Sequence, residues 1–292
     1  MEDTTTLSAF FDGWELFRTA ALSGAVAGAL LGVLGVYVVL RRLVFLTAAV
    51  SQTAGLGVSL AFYAQIHFAL PATLTDPLLG AALLTAITVA PMILGKGGHA
   101  RRTDSLLGFA YLVGAAGALA VGTRIVQESH DVQTLLFGSA VAVLPEDFHT
   151  LLILGGLLLA LHAWWWRGFS AASFDPAGAR VRGLPVRLLD ATLFLTLALA
   201  ISVCTRVLGA LPAFAFSVLP ALAAVRLTPN VGWGLVLGGA LGAAVGFSGY
   251  VLAFVAELPV GASQALVGAA LVFLVEALMR APLPRSLRWG TG

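Results

Sequence analysis

The chain has 292 residues, of which 59% are hydrophobic and only 10% charged, and its mean hydropathy is +0.97. A soluble domain carries about 25% charged residues, so this chain cannot cover a water-facing surface, and a soluble enzyme or a nucleic-acid-binding module is excluded. The net charge of +2 says little alone, because in a polytopic membrane protein the position of each arginine matters more than the sum.

Residues 1–17 are acidic and lack the basic flank of a secretory signal. They read as an exposed or surface-lying tail ahead of a single transmembrane domain over 18–281, with 282–292 as a cytoplasmic tail. A membrane helix needs about 20 apolar residues. Runs of that kind fall at 18–40, 44–66, 76–95, 105–123, 148–166, 188–206, 209–226, 229–255 and 262–279. The fold expected is therefore an all-α bundle of eight or nine transmembrane helices. The run 209–226 decides the count, since Pro212 and Pro220 interrupt it. Many glycines lie within spans beside other small residues, as in Gly24–Gly28 and Gly238–Gly242, a pattern that lets helices approach closely in lipid.

With nine spans and the N-terminus outside, the inner loops hold Arg41, Arg42, Lys96, Arg101, Arg102, Arg167, Arg180, Arg182, Arg187, Arg226, Arg280, Arg285 and Arg288. The outer side holds only Arg18, Arg124 and Arg206, which leaves thirteen of the 16 Lys and Arg inside. The loop 167–187 thus lies in the cytoplasm. It contains a short helix written with both ends: Asp175 caps, Pro176 suits the first helical position, and Gly183 followed by Pro185 marks the stop. Arg180, Arg182 and Arg187 make it basic. A capped, basic helix of about two turns between spans is a surface knob offered to a partner.

The chain carries no ATPase motif of its own. Lys96 is its only lysine, and position 90, where a Walker loop needs glycine, is Ala. No HExxH, CxxC, GxSxG or dinucleotide-binding pattern stands in a suitable setting. The single cysteine, Cys204, permits no intrachain disulfide and reads as a packing residue. An ion-coupled secondary transporter would place carboxylates in mid-span and repeat a half-structure, and the sequence shows neither.

Four segments carry a family resemblance: GVYVVLRRLVFLTAAVSQTAGLGVSLA at 36–62, DSLLG at 104–108, Asp131 to Gly138 ending in Leu-Phe-Gly, and SFDPAGARVRGLPVRLLD at 173–190. Pro220 and the ELPVGA stretch at 257–262 complete the register. The chain resembles the permease subunits of zinc/manganese/iron-type ABC transporters, the metal-uptake permeases. The resemblance implies a prokaryotic inner-membrane protein that pairs with a second copy of itself, is driven by a cytoplasmic ATPase dimer, and receives cargo from an external binding protein. It implies that ATP is bound by the partner, that this chain holds no cofactor, and that the cargo is a divalent metal ion. It also implies that Phe174, Asp175, Pro176, Arg180, Arg182, Gly183, Leu184 and Pro185 form the element that docks on the ATPase.

One departure stands out. Such permeases carry an Asp, then Ser-His one turn later, near the start of the second span. The matching positions here are Ala48, Ser51 and Gln52, and a proline often found beyond them is Leu56. Losing a carboxylate and an imidazole removes the two best ligands for zinc or manganese. The chain therefore moves a metal through a site built elsewhere, moves a chelated or less charged cargo, or has become a non-transporting partner of an ATPase.

Ionisable and polar residues in spans are functional candidates by default. Ser51, Gln52 and Asp190 are candidates for the translocation path. The alternatives are interhelical hydrogen bonding for the first two, and for Asp190 an ion pair with Arg187 or an arginine from another helix. Glu276 and Arg280 have the spacing of a helical ion pair, Arg206 is expected to reach the outer headgroups, and Trp164–Trp166 form an interfacial aromatic belt. Around one outer loop His130, Asp131, Glu146, Asp147 and His149 make the best metal-attracting patch, without the spacing of a closed zinc site.

Overall fold

The computed structural model describes residues 7–68, 71, 73–95, 100–125 and 143–280, with the side chains of 100–103 left aside. Among these residues the order is α1 (Leu7–Asp12), α2 (Trp14–Leu40), α3 (Val44–Phe68), α4 (Pro77–Leu94), α5 (Ala100–Ile125), α6 (Pro145–Phe174), α7 (Pro176–Val181), α8 (Val186–Leu208), α9 (Ala210–Leu227), α10 (Val231–Ala256) and α11 (Val260–Arg280). All but α1 and α7 are long and apolar enough to cross a membrane, nine in number. The interrupted run is α9. Its 18 residues reach about 27 Å, close to the hydrocarbon thickness of about 30 Å. Pro220 lies inside it and is fully packed between neighbouring helices, where a missing backbone bond is tolerated.

Helices α2, α3, α8 and α9 form the centre, and α4, α5, α6 and α11 the periphery. The sorting follows side-chain size. On α4 the small or β-branched Ala81, Thr85 and Val89 are buried, while Leu79, Leu83 and Ile87 are exposed on the opposite face. Large aliphatics face lipid, and small residues allow close helix contact. The tightest contact is the antiparallel pair α2–α10, where Gly24, Gly28 and Gly32 face Gly246, Gly242 and Gly238. A Cβ at Gly28 would overlap the Gly242 carbonyl.

The acidic stretch before residue 18 is not a free tail over its described part. Helix α1 seats a fully buried Phe10 among Trp14, Phe17, Tyr250 and Phe254, and α2 begins at Trp14. Aromatic packing onto α10 outweighs the solvation of the few acids around it. The ion pairs between helices sort by membrane side as the arginine distribution predicts. Arg41–Asp190 and Arg226–Glu276–Arg280 join inner ends, and Arg206 joins outer ends to Asp76 and Asp147.

Candidate functional site

Helix α6 has 30 residues, about 45 Å, so it outruns the bilayer core and carries its last turns into the cytoplasm. It bends at Trp165, whose φ of −107° and ψ of 17° leave the helical region. Asp175 then serves two helices. Its N–H closes α6 on the Ala171 carbonyl at 3.0 Å, and its Oδ1 accepts the Gly178 N–H at 2.8 Å to open α7. Pro176 occupies the first position, where its missing N–H costs nothing. At the far end Leu184 N–H donates to Ala179 O at 3.0 Å and Gly183 N–H to Arg180 O at 2.9 Å, a Schellman cap. Gly183 makes that cap possible with φ +77°, a left-handed conformation that costs other residues roughly 1–2 kcal/mol.

The result is a rigid knob. Ala179 is fully buried, and with half-buried Leu184 it packs into a cluster with Tyr37, Phe169, Val186 and Leu189. The other face is open. Phe174 and Val181 are 60% and 89% exposed, and Asp175, Pro176, Arg180, Arg182, Gly183 and Pro185 are exposed around them. The open face thus combines exposed apolar side chains with Arg180 and Arg182, neither of which has an ion-pair partner among the described residues. Among the described residues Arg182 Nε donates to the Gly178 carbonyl alone, at 3.2 Å.

Behind the knob lies a knot that sequence reasoning identified only in part. Arg41, which leaves the inner end of α2, donates from Nη1 to Asp190 Oδ1 at 2.6 Å and from Nε to Ser173 Oγ at 2.8 Å. Its side chain is 11% exposed. One guanidinium thus ties the first inner loop to the end of α6 and the start of α8, the two helices that carry α7. The partner of Asp190 is an arginine of another helix and not Arg187. Farther along these two helices, His162 is buried, stacks on Phe169 at 4.5 Å, and meets Thr196 Oγ1 at 2.9 Å through Nε2. Because the Thr196 hydroxyl donates to the Thr192 carbonyl, the histidine is the donor at Nε2.

The other translocation candidates sit on α3. Ser51 is fully buried, and its Oγ has no partner among the described residues. Gln52 is half-buried, with its backbone pressed on Gly114 of α5. Ala48 is 6% exposed, so the position that would hold a carboxylate is filled by packing. The interhelical hydrogen bonds fall on neighbours instead. Thr88 of α4 donates to Thr53 of α3 at 3.1 Å, and Thr85 of α4 bonds Ser202 of α8 at 2.9 Å.

On the outer side, His130 and Asp131 lie outside the described residues. Glu146 and His149 are exposed at the start of α6. Asp147 is held at 2.9 Å by Arg206, which also holds Asp76 at 2.9 Å. Arg206 therefore ties three outer helix ends together and does not extend to headgroups, because two carboxylates at hydrogen-bond distance outcompete a lipid phosphate. No group of three His, Cys, Asp or Glu that could hold a metal occurs among the described residues.

Known proteins share this architecture over nearly the whole chain. The chain is 24% identical over 264 residues to the manganese transport system membrane protein MntC of Listeria monocytogenes, covering 89% of this chain and 90% of that one. It is 26% identical over 278 residues to the manganese import system permease protein ScaB of Streptococcus gordonii, covering 94% and 95%. The solved structure of PsaBC from Streptococcus pneumoniae in complex with Fab superimposes with a TM-score of 0.76 at 22% identity, over 92% of this chain and 95% of that one. Residues 13–280 match the ABC 3 transport family, and with nine membrane-length helices and a knob between α6 and α8 the chain belongs to that family.

Proposed function

We propose that this chain is the membrane-spanning permease subunit of a metal-uptake ABC transporter in the prokaryotic inner membrane. A separate cytoplasmic ATPase dimer powers it, an external binding protein delivers the cargo, and two copies of the chain pair to enclose the path. The observation that carries the reading is α7, capped at both ends, exposed on an apolar and basic face, and rigidly joined to two spans. ATP-driven closure of the ATPases moves such a knob as a solid body, and the spans reorient with it. The named manganese permeases among its relatives support a divalent transition-metal cargo.

Ala48 and Gln52 favour a second reading of the cargo. A bare divalent ion crossing beside them meets a methyl group and a neutral carboxamide, so a chelated ion that keeps its own ligands suits this path. Co-purification tests the shared core of both readings. A cognate ABC ATPase co-expressed with the chain is expected to bind the wild type, and that binding is expected to be lost when Phe174 and Val181 become Glu. Undiminished binding by that double variant would refute docking through α7.

A further inference from the structure

The inner end of α6 and the start of α8 enclose a groove of about 520 Å³ beside the knob, within the size range of small-molecule sites of roughly 300–1,000 Å³. We propose that this groove binds an anionic phospholipid of the inner leaflet, with Arg167 receiving the headgroup phosphate and the tryptophans holding the glycerol and upper acyl region.

Three independent observations converge on that occupant. The first is the lining. Trp164, Trp165, Leu184, Leu188 and Leu189 make it apolar, Arg167 is its one charged residue, and no carboxylate lines it. The Arg167 guanidinium stands 5.5 Å from the centre of the Trp166 ring, and among the described residues it has no ion pair or hydrogen bond. A flat aromatic face orients the guanidinium and leaves its N–H donors open to a phosphate. The second is depth. From Pro145 to Trp164 the helix climbs roughly 30 Å, one hydrocarbon thickness, so the tryptophans meet the inner headgroup boundary where such side chains settle. Trp164 is 84% exposed there, a large apolar surface with no protein cover.

The third is charge. Arg180 and Arg187 are exposed on the same segment, with no carboxylate partner among the described residues. Its two acids are both occupied, Asp175 in capping α7 and Asp190 in holding Arg41. The excess positive charge favours a lipid with net negative charge over a zwitterionic one, whose amine offsets its phosphate. An ATPase surface would meet the knob from the aqueous side, whereas this groove lies at the level of the headgroups.

The test uses the purified full-length chain, delipidated and titrated with phosphatidylglycerol or phosphatidylcholine of identical acyl chains, read by native mass spectrometry and by thermal stability. Phosphatidylglycerol should bind more tightly by roughly fivefold per engaged cation. Arg167→Gln should lower the preference by roughly fivefold, Arg167→Lys should keep most of it, and Trp164→Ala should weaken both lipids alike. Trp164 is 84% exposed, and Arg167 is exposed with only the Trp166 ring beside it among the described residues, so the lipid-free melting temperature of each variant should stay close to the wild-type value, which separates lost binding from misfolding. Equal binding of the two lipids by the wild-type chain, or a preference left unchanged by Arg167→Gln, would overturn the proposal. So would unchanged lipid binding together with weaker ATPase affinity in lipid-free detergent, which would assign the groove to the ATPase.

Discussion

Replacing Arg41 by Gln removes two hydrogen bonds at once, to Asp190 at 2.6 Å and to Ser173 at 2.8 Å. Each bond to a charged group contributes about 1.5–3 kcal/mol. Breaking a fully buried pair from one side costs about 3–5 kcal/mol, because the other charge is stranded. The Asp190 side chain is 33% exposed against 11% for Arg41, so the carboxylate left behind is partly rehydrated. The expected loss is therefore about 2–3 kcal/mol, below the buried-pair range. Arg41→Lys should lose about half of that, since an ammonium cannot span both acceptors as a planar fork does. Reversible unfolding in mixed detergent micelles measures these values. The informative quantity is the coupling between Arg41→Gln and Asp190→Asn, expected at about 1–2 kcal/mol. If the two losses simply add to within about 0.5 kcal/mol, the guanidinium does not tie these helices and the account of the knot fails. In the assembled transporter the single variants should still hydrolyse ATP while moving less cargo per ATP, because the first inner loop is released from the helices that carry the knob.

Three further outcomes follow from the same geometry. Gly183→Ala forces a side chain into φ +77° and should destabilise by roughly 1 kcal/mol, lowering uptake per ATP hydrolysed; unchanged coupling would show that the cap's shape is unimportant. Gly28→Leu drives a side chain into the Gly242 carbonyl and should cost about 3 kcal/mol or more, seen as a lower melting temperature, whereas an equal substitution at Gly156, which has open space around it, should be neutral. Ala48→Asp with Gln52→His should reduce stability in metal-free buffer, because a carboxylate enters a site only 6% exposed, and zinc should restore it. A double variant that melts at the same temperature with and without zinc would show that these positions cannot form a ligand pair.

Much of the framework was legible because strong physics marks it locally. The nine apolar runs were legible, with the count left at eight or nine by Pro212 and Pro220, and so was α7 from Asp175, Pro176 and Gly183, whose roles are set by backbone conformation. What escaped the sequence is the partner of each polar group. Asp190 and Arg41 lie 149 positions apart, and no spacing rule links them. Arg206 carries the same signal whether it reaches lipid or two carboxylates, and only the convergence of α4, α6 and α8 decides. The sequence left α1 open between an exposed tail and a surface-lying segment, because a few acids dominate a short stretch whose aromatic residues find their contacts on α10. The inward faces were invisible to hydropathy, since on α4 both faces are largely apolar and differ mainly in side-chain size. The cargo is the least legible feature, because Ala48 and Gln52 say which ligands are lacking and nothing marks a replacement.

The most direct test is reconstitution of this chain in liposomes with a cognate ABC ATPase and external binding protein, measuring ATP hydrolysis and radiolabelled uptake against a panel of zinc, manganese and iron(II), free and chelated. The account predicts that at least one of these stimulates hydrolysis and enters the vesicles, and that Phe174→Glu with Val181→Glu abolishes both. Hydrolysis indifferent to every form of metal, with no uptake, would contradict it.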